Sequence, residues 1–254
     1  TVMEQLVTLK ADGSIAPELC ESYDVSDDNS AFTFHLRKGV KFHNGESVTA
    51  ADVVYSMNRC ADNSGDSALV SAFSAIQDLK AVDEKTVTFR LEQPDLELIN
   101  FLSAAIIPEG SDPQAGFIPG TGPFKLVSRS PQENIVLERF DDYFGTPAKL
   151  KKVVYTVIPE SASRTIALET GEVDVIDRPS EEDLNRLESD TENYSVTRKE
   201  TISQRLFRFG CNDPIISNTK VRQAIVYAVD RDAIISALFE GTGYPTTSPL
   251  APVT

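Results

Sequence analysis

A mixed α/β fold is what this 254-residue chain predicts, and three features of the sequence carry that reading. Residues 32–36 and 87–91 alternate apolar with polar side chains, the period of a strand with one buried face. Residues 49–59 and 218–229 instead repeat their apolar positions every three or four residues, the spacing of a helix packed on one side. The two kinds of segment follow one another without the regular strand–helix–strand succession of a purely parallel sheet, and no internal repeat or low-complexity tract interrupts them.

The length suffices for one large domain or two ordinary ones with real cores. The apolar fraction of 41% is that of ordinary globular proteins, and no apolar run approaches the length of a membrane-spanning helix. With 39 acidic against 24 basic residues, a formal charge of -15 and no segregated basic patch, the chain would repel a phosphate backbone, which excludes nucleic acid as a partner. The cysteines at 20, 60 and 211 are odd in number and far apart, so they define neither a disulfide framework nor a zinc knuckle. A Cys20–Cys60 disulfide is left open. No charged-then-apolar leader precedes Thr1, which leaves the location open as well.

Both histidines fall in FHLRKGVKFHNGESVTAADVVYSMNR, residues 34–59. Phe32, Phe34 and Leu36 alternate with Thr33, His35 and Arg37, so a strand here points His35 away from its apolar face. Two glycines and an Asn-Gly step then make a turn. Thr49 with Asp52 three residues later resembles a capping box, and Val53, Val54 and Met57 form the stripe of a helix ending near Arg59. KTVTFRLEQP is a strand through Val87, Phe89 and Leu91, stopped by Pro94. Residues 108–123 hold four prolines and four glycines, the sharpest composition break in the chain and a candidate domain connection.

Beyond that break, strands are predicted at 124–128, at 134–139 and in KKVVYTVIP, then a helix over 161–170 with Gly171 as its stop. EVDVID, residues 172–177, resumes extended structure. A second capped helix begins at Ser180, and RLFRF, residues 205–209, reads as a strand. The last run, 218–241, places Val221, Ala224, Ile225, Ala228 and Val229 on one side of a helix and ends in a shorter helix closed by Gly241.

Catalysis needs a constellation, and none assembles. His35 and His43 are eight residues apart across a turn, a spacing that fits neither a helical metal pair nor a tetrahedral set, so both read as hydrogen-bonding scaffold. Cys211 precedes Asn-Asp-Pro with nothing in sequence to aim a base at it. The Gly-Thr-Gly at 120–122 leads into Pro123 and a strand rather than a helix N-terminus, the wrong context for a phosphate loop. The carboxylates at 181–183 open a helix, where the dipole favours them.

Taken in order, MEQLVTLKADGSIAPELCESYDV, FHLRKGVKFHNGESVTAADVVYSMNR, GTGPFKLV, IVLERFDDYFG, ALETGEVDV and VRQAIVYAVDRDAI resemble the family 5 extracellular solute-binding proteins of ABC importers, which include oligopeptide-, dipeptide- and nickel-binding proteins. Cys20 and Tyr23 depart from the Ala and Trp usual in that family's LAESW segment, and the chain has no tryptophan. The resemblance implies a periplasmic-binding-protein-like two-lobe fold with an incomplete second lobe. Residues 1–3 would be a remnant of lobe I, 4–108 a family-specific subdomain of it, 109–202 its main part, and 203–254 the crossing strand and the start of lobe II. It further implies a non-enzymatic monomer without cofactor or metal, periplasmic or lipid-tethered outside the cell, that captures a peptide or similar small solute and delivers it to a membrane permease. By position in the family pattern, Ser203, Arg205 and Arg208 face the ligand cleft, where a planar guanidinium suits a carboxylate. The competing reading makes these arginines solvated edge residues paired with acidic neighbours. Two alternative functions stand beside the first: the same fold taking a nickel chelate or an oligosaccharide, and a hydrolase using Cys211 or a histidine.

Overall fold

The computed structural model describes residues 2–10, 13–62, 68–95, 98–99, 102, 104–112, 116–199, 205–239 and 243–248. The chain divides into two compact units, Thr1–Val157 and Ile158–Thr254.

The first unit is built on a four-stranded antiparallel sheet of β3 (Cys20–Val25), β4 (Ala31–Leu36), β6 (Thr86–Leu91) and β5 (Ile76–Ala81), in that spatial order. A two-stranded ribbon, β1 (Val7–Leu9) with β2 (Ile15–Pro17), precedes it in the chain. The alternation read in β4 and β6 produces the core directly. Register sets Phe32 opposite Phe89 and Phe34 opposite Val87, all four fully buried, with Phe32 and Phe89 ring centroids 5.0 Å apart. Each such side chain contributes roughly 1.5–3 kcal/mol by leaving water, and a stacked aromatic pair adds about 0.5–1.5 kcal/mol.

Helix α1 (Ala50–Asp62) lays Val53 and Met57 on this core, followed by α2 (Ala68–Ser74), and α1 runs three residues past the predicted end. Its start uses the predicted pair, but with different geometry. The Thr49 amide and hydroxyl both donate to Asp52 Oδ2, at 2.7 and 2.8 Å, while Asp52 Oδ1 accepts from the Glu109 amide at 2.7 Å. One buried carboxylate thus caps the helix and holds the loop at 109. Ser56 repeats the device, its hydroxyl accepting from the Ile107 amide at 2.9 Å.

A three-stranded antiparallel sheet completes the unit: β7 (Phe124–Ser130), β8 (Asn134–Arg139) and β9 (Lys152–Thr156), all in predicted positions. The Pro/Gly-rich segment 108–123 lies within this unit, tied by backbone bonds from Gly122 to Val2 and from His43 to Gly120.

The second unit holds four helices among its described residues: α3 (Ser161–Glu169), α4 (Glu181–Ser189), α5 (Thr219–Ala228) and α6 (Arg231–Phe239). Gly171 ends α3 as predicted. With φ +75, it lets its own amide reach Leu168 O and the Glu172 amide reach Ala167 O, satisfying carbonyls the helix leaves open. Ser180 caps α4 by accepting from the Asp183 amide at 3.1 Å, and Asp183 Oδ2 takes the Thr165 hydroxyl of α3 at 3.1 Å. Arg164 ties together the segments that lead into the two helices, donating to the carbonyls of Ile158 and Pro159 before α3 and of Asp177 and Arg178 before α4.

One predicted strand is corrected here. Residues 205–209 lie in no strand, with Phe207 72% exposed. Apolar side chains alone do not make a strand, which also needs a neighbour to complete its ladder, and among the described residues this segment has none. Residues 172–177, read as extended, are irregular, with Val175 83% exposed. Gly241, predicted to close the last helix, lies outside the described residues.

Candidate functional site

Of the three residues assigned to ligand, Ser203 lies outside the described residues. Arg205 and Arg208 are both exposed, on a segment without regular structure that also exposes Leu206 and Phe207. Each unit has a shallow cleft among its described residues: one of ≈ 260 Å³ over Met57, Phe73 and Leu79, and one of ≈ 360 Å³ beside Glu188 and Tyr194. Solute pockets are typically about 300–1,000 Å³ and largely enclosed, and neither cleft includes the arginines.

The histidines are placed as scaffold. His35 lies on the outer face of β4 with Nε2 3.2 Å from Asp24 Oδ2, an exposed pair. His43 does more structural work. Its Nδ1 accepts from the Gly120 amide at 3.2 Å, which leaves the ring proton on Nε2, where it is donated to the Gly122 carbonyl at 2.9 Å. The ring stands edge-on to Phe140, and burial lowers its pKa, so it clamps the 120–122 loop as a neutral imidazole. Among the described residues no cluster of three or more His, Cys, Asp or Glu side chains could hold a metal.

All three cysteines are free thiols, so the disulfide left open between Cys20 and Cys60 is absent. Burial pushes the Cys20 thiol up to about 11, and Cys60 is raised for the same reason, which makes both poor nucleophiles. Cys211 is exposed, its thiol donating to the Phe209 carbonyl at 3.6 Å.

Sequence reasoning missed a buried polar cluster in the first unit. Glu4, 5% exposed, accepts from the Tyr143 hydroxyl at 2.6 Å through Oε1, while its Oε2 and the fully buried Thr121 Oγ1 have no hydrogen-bond partner. Burial raises the Glu4 pKa, opposed by hydrogen bonding from Tyr143 and Thr121. The Thr121 hydroxyl is thus near enough to influence the carboxyl, yet it forms no hydrogen bond of good geometry with it. Tyr143 is driven well above the usual phenol range by burial and by the carboxyl beside it. The available signal was a lone carboxylate in the run Met3-Glu4-Gln5-Leu6-Val7, where a charge sits among apolar neighbours.

The chain belongs to the bacterial extracellular solute-binding proteins, family 5, whose middle-region model matches residues 14–254. It is 29% identical over 268 residues to the dipeptide-binding protein of Escherichia coli K12, an alignment covering 94% of this chain and 50% of that protein. Among solved structures it is similar to NikA from Brucella suis in complex with Fe(III)-EDTA, with TM-score 0.89 and 29% identity over 99% of this chain and 53% of that one. It is also similar to the periplasmic binding protein DppA from Helicobacter pylori in complex with the peptide STSA, with TM-score 0.80 and 27% identity over 99% and 55% of the two chains. The fold is therefore of periplasmic-binding-protein type. The chain spans about half the length of the relatives it matches. No helix among the described residues is long and apolar enough to cross a membrane.

Proposed function

We propose that the protein containing this chain is the extracytoplasmic solute-binding component of an ABC importer, which captures a peptide or similar small solute in a cleft between two lobes and delivers it to a membrane permease. The observation that carries this reading is the family match over residues 14–254. In this reading the protein acts as a monomer, free in a periplasm or tethered by a lipid. Residues 1–3 are a remnant of lobe I, 4–108 its family-specific subdomain, 109–202 its main part, and 203–254 the crossing into lobe II. Ser203, Arg205 and Arg208 are the solute contacts from this half, with the arginines receiving carboxylate oxygens.

A second ligand class is favoured by one observation, the Fe(III)-EDTA held by the NikA neighbour. A metal polycarboxylate and a peptide C-terminus share the group that a guanidinium fork receives, so the same arginines serve either solute. Incubating the whole protein with peptides and with metal chelates, then recovering the small molecules by mass spectrometry, tests both readings. Retention of an unmodified compound is expected. A mass change that accumulates with time would overturn the binding function in favour of a hydrolase.

A further inference from the structure

The turn after His43 contains the only Asn-Gly step in the sequence, Asn44–Gly45. Asparagine is among the thermolabile residues, and a glycine after it makes the step most prone to modify itself. The backbone nitrogen of the following residue lies within reach of the asparagine side-chain carbonyl carbon, and glycine places no side chain in the way of attack. Both residues are exposed, so water and base have access to them.

The folded turn engages the groups that this reaction needs. The Phe42 amide donates to the Glu46 carbonyl at 2.8 Å, and the Gly45 amide donates to the Phe42 carbonyl at 2.9 Å. The nitrogen that would attack therefore has its proton occupied, with Gly45 fixed at φ +90. Glu46 holds the asparagine side chain at both of its polar atoms. Its amide donates to Asn44 Oδ1 at 3.0 Å, and its Oε2 accepts from Asn44 Nδ2 at 2.6 Å. Buried Phe42 and Val48 anchor the two arms of the turn in the core, and a bridge between Lys41 and Ser47 joins its flanks.

We propose that Asn44 is a latent deamidation site, kept unreacted in the folded protein by Glu46 and the Phe42 carbonyl, whose conversion loosens the clamp that His43 places on the 120–122 loop. In the reaction a base removes the Gly45 amide proton, the nitrogen forms a bond to Asn44 Cγ, and the Cγ–Nδ2 bond breaks with release of ammonia. One water then opens the five-membered imide at either carbonyl, leaving aspartate or isoaspartate at position 44. Asparagine and water thus become acid and ammonia, with no oxidant or reductant involved.

Either product works against the turn. A carboxylate replaces the Nδ2 donor that lay 2.6 Å from Glu46 Oε2, so attraction gives way to repulsion between like charges. Isoaspartate in addition lengthens the main chain by one carbon between His43 and Gly45. The His43 amide donates to the Gly120 carbonyl at 2.8 Å and its Nδ1 accepts from the Gly120 amide at 3.2 Å, so a shift at position 44 acts directly on that clamp.

Peptide mapping by mass spectrometry of the whole protein, incubated at mildly alkaline pH, reads the conversion of the Asn44 amide to acid. The folded protein should convert at least about tenfold more slowly than the same protein unfolded in urea, the factor supplied by one charge-assisted hydrogen bond that must break first. Glu46→Ala should convert at least about tenfold faster than wild type while circular dichroism shows it folded. Glu46→Gln keeps an acceptor for Nδ2 without the charge and should fall between the two. In protein already converted, separated by ion exchange, the Gly120 amide should exchange hydrogen faster than in the unconverted form. Equal rates in folded and unfolded protein would overturn the proposal, as would a folded Glu46→Ala that converts no faster than wild type. If Glu46→Ala does not fold, Glu46→Gln decides, and a rate equal to wild type would overturn the role of Glu46. Gly120 exchange unaffected by conversion would overturn the link to the clamp.

Discussion

The Tyr143 hydroxyl donates to Glu4 Oε1 at 2.6 Å, joining positions 139 residues apart in sequence and pinning the start of the first unit to the turn after β8. Phenylalanine in place of Tyr143 keeps the ring and removes the donor, leaving both carboxyl oxygens buried without a partner. An orphaned buried polar group costs about 1–3 kcal/mol, so Tyr143→Phe should lose stability in that range in urea unfolding near pH 7. A loss within error of zero would mean that solvent reaches the carboxylate.

Glu4→Gln tests the same cluster through pH. The folded state raises the Glu4 pKa, so its protonated form is the one that suits the fold. Its contribution is fully present below the unfolded value of about 4.5 and is lost as pH rises through the folded pKa. Glutamine keeps an acceptor for Tyr143, adds an amide donor toward Thr121 and does not ionise. The variant should match wild type near pH 4 and become progressively more stable than wild type toward pH 7. A stability difference independent of pH would contradict this account of the carboxyl.

For His43 the sign is reversed. Burial lowers its folded pKa, so its contribution is present above the unfolded value near 6.5 and is lost as pH falls through the lowered folded one. His43→Ala should cost about 1–3 kcal/mol at pH 8, since two loop hydrogen bonds go with the ring, and the cost should shrink in acid. His35→Ala removes an exposed pair and should cost less than about 1 kcal/mol. Neither variant should alter divalent-metal binding, which isothermal titration would read.

Gly120→Ala tests the close approach of the loop to the N-terminal segment. A Cβ at this position would run into the Val2 carbonyl oxygen, a backbone atom that cannot swing away as a side-chain tip does. Overpacking of this kind typically costs about 1–3 kcal/mol, and thermal unfolding would measure it. The half-buried Gly145, whose neighbour is the Tyr143 ring, should be more tolerant, because a side chain can yield.

Local patterns made part of this fold legible. β4 and β6 were readable because one face is buried and the other wet, and α3 and α4 because Gly171 and Ser180 mark their ends by backbone chemistry. β5 was not, since a register shift between Gln77 and Lys80, with Asp78 at φ 51, breaks the alternation that would have revealed it. Residues 205–209 misled in the opposite sense, having the apolar side chains of a half-buried strand without a partner among the described residues. The Glu4–Tyr143 contact was invisible because nothing local links two residues so far apart. The solute-contact residues came only from the family pattern, as no spacing of residue types marks a carboxylate receptor on a single strand.

Arg205 carries the specificity prediction. Removing one member of a buried charged pair costs about 2–5 kcal/mol, while a rim arginine costs far less. In the whole protein Arg205→Ala should therefore weaken solute binding at least about tenfold, roughly 1.4 kcal/mol, and Arg205→Lys should recover only part of it because the fork is lost. Arg208, three residues on, has opposite parity if the segment becomes a regular strand, so only one of the two should dominate. Wild-type affinity in both alanine variants would make these arginines structural.

Calorimetric titration of one solute into the whole protein and into the 254-residue chain tests most directly the claim that the solute is held between two lobes, of which this chain supplies one wall. The solute would be the compound found by native mass spectrometry of the whole protein. The account predicts one solute per protein bound by the whole, and affinity at least about 100-fold lower in the chain alone, because a cleft with one wall neither excludes water nor encloses its ligand. Equal affinities would place the entire site within residues 1–254 and contradict the account.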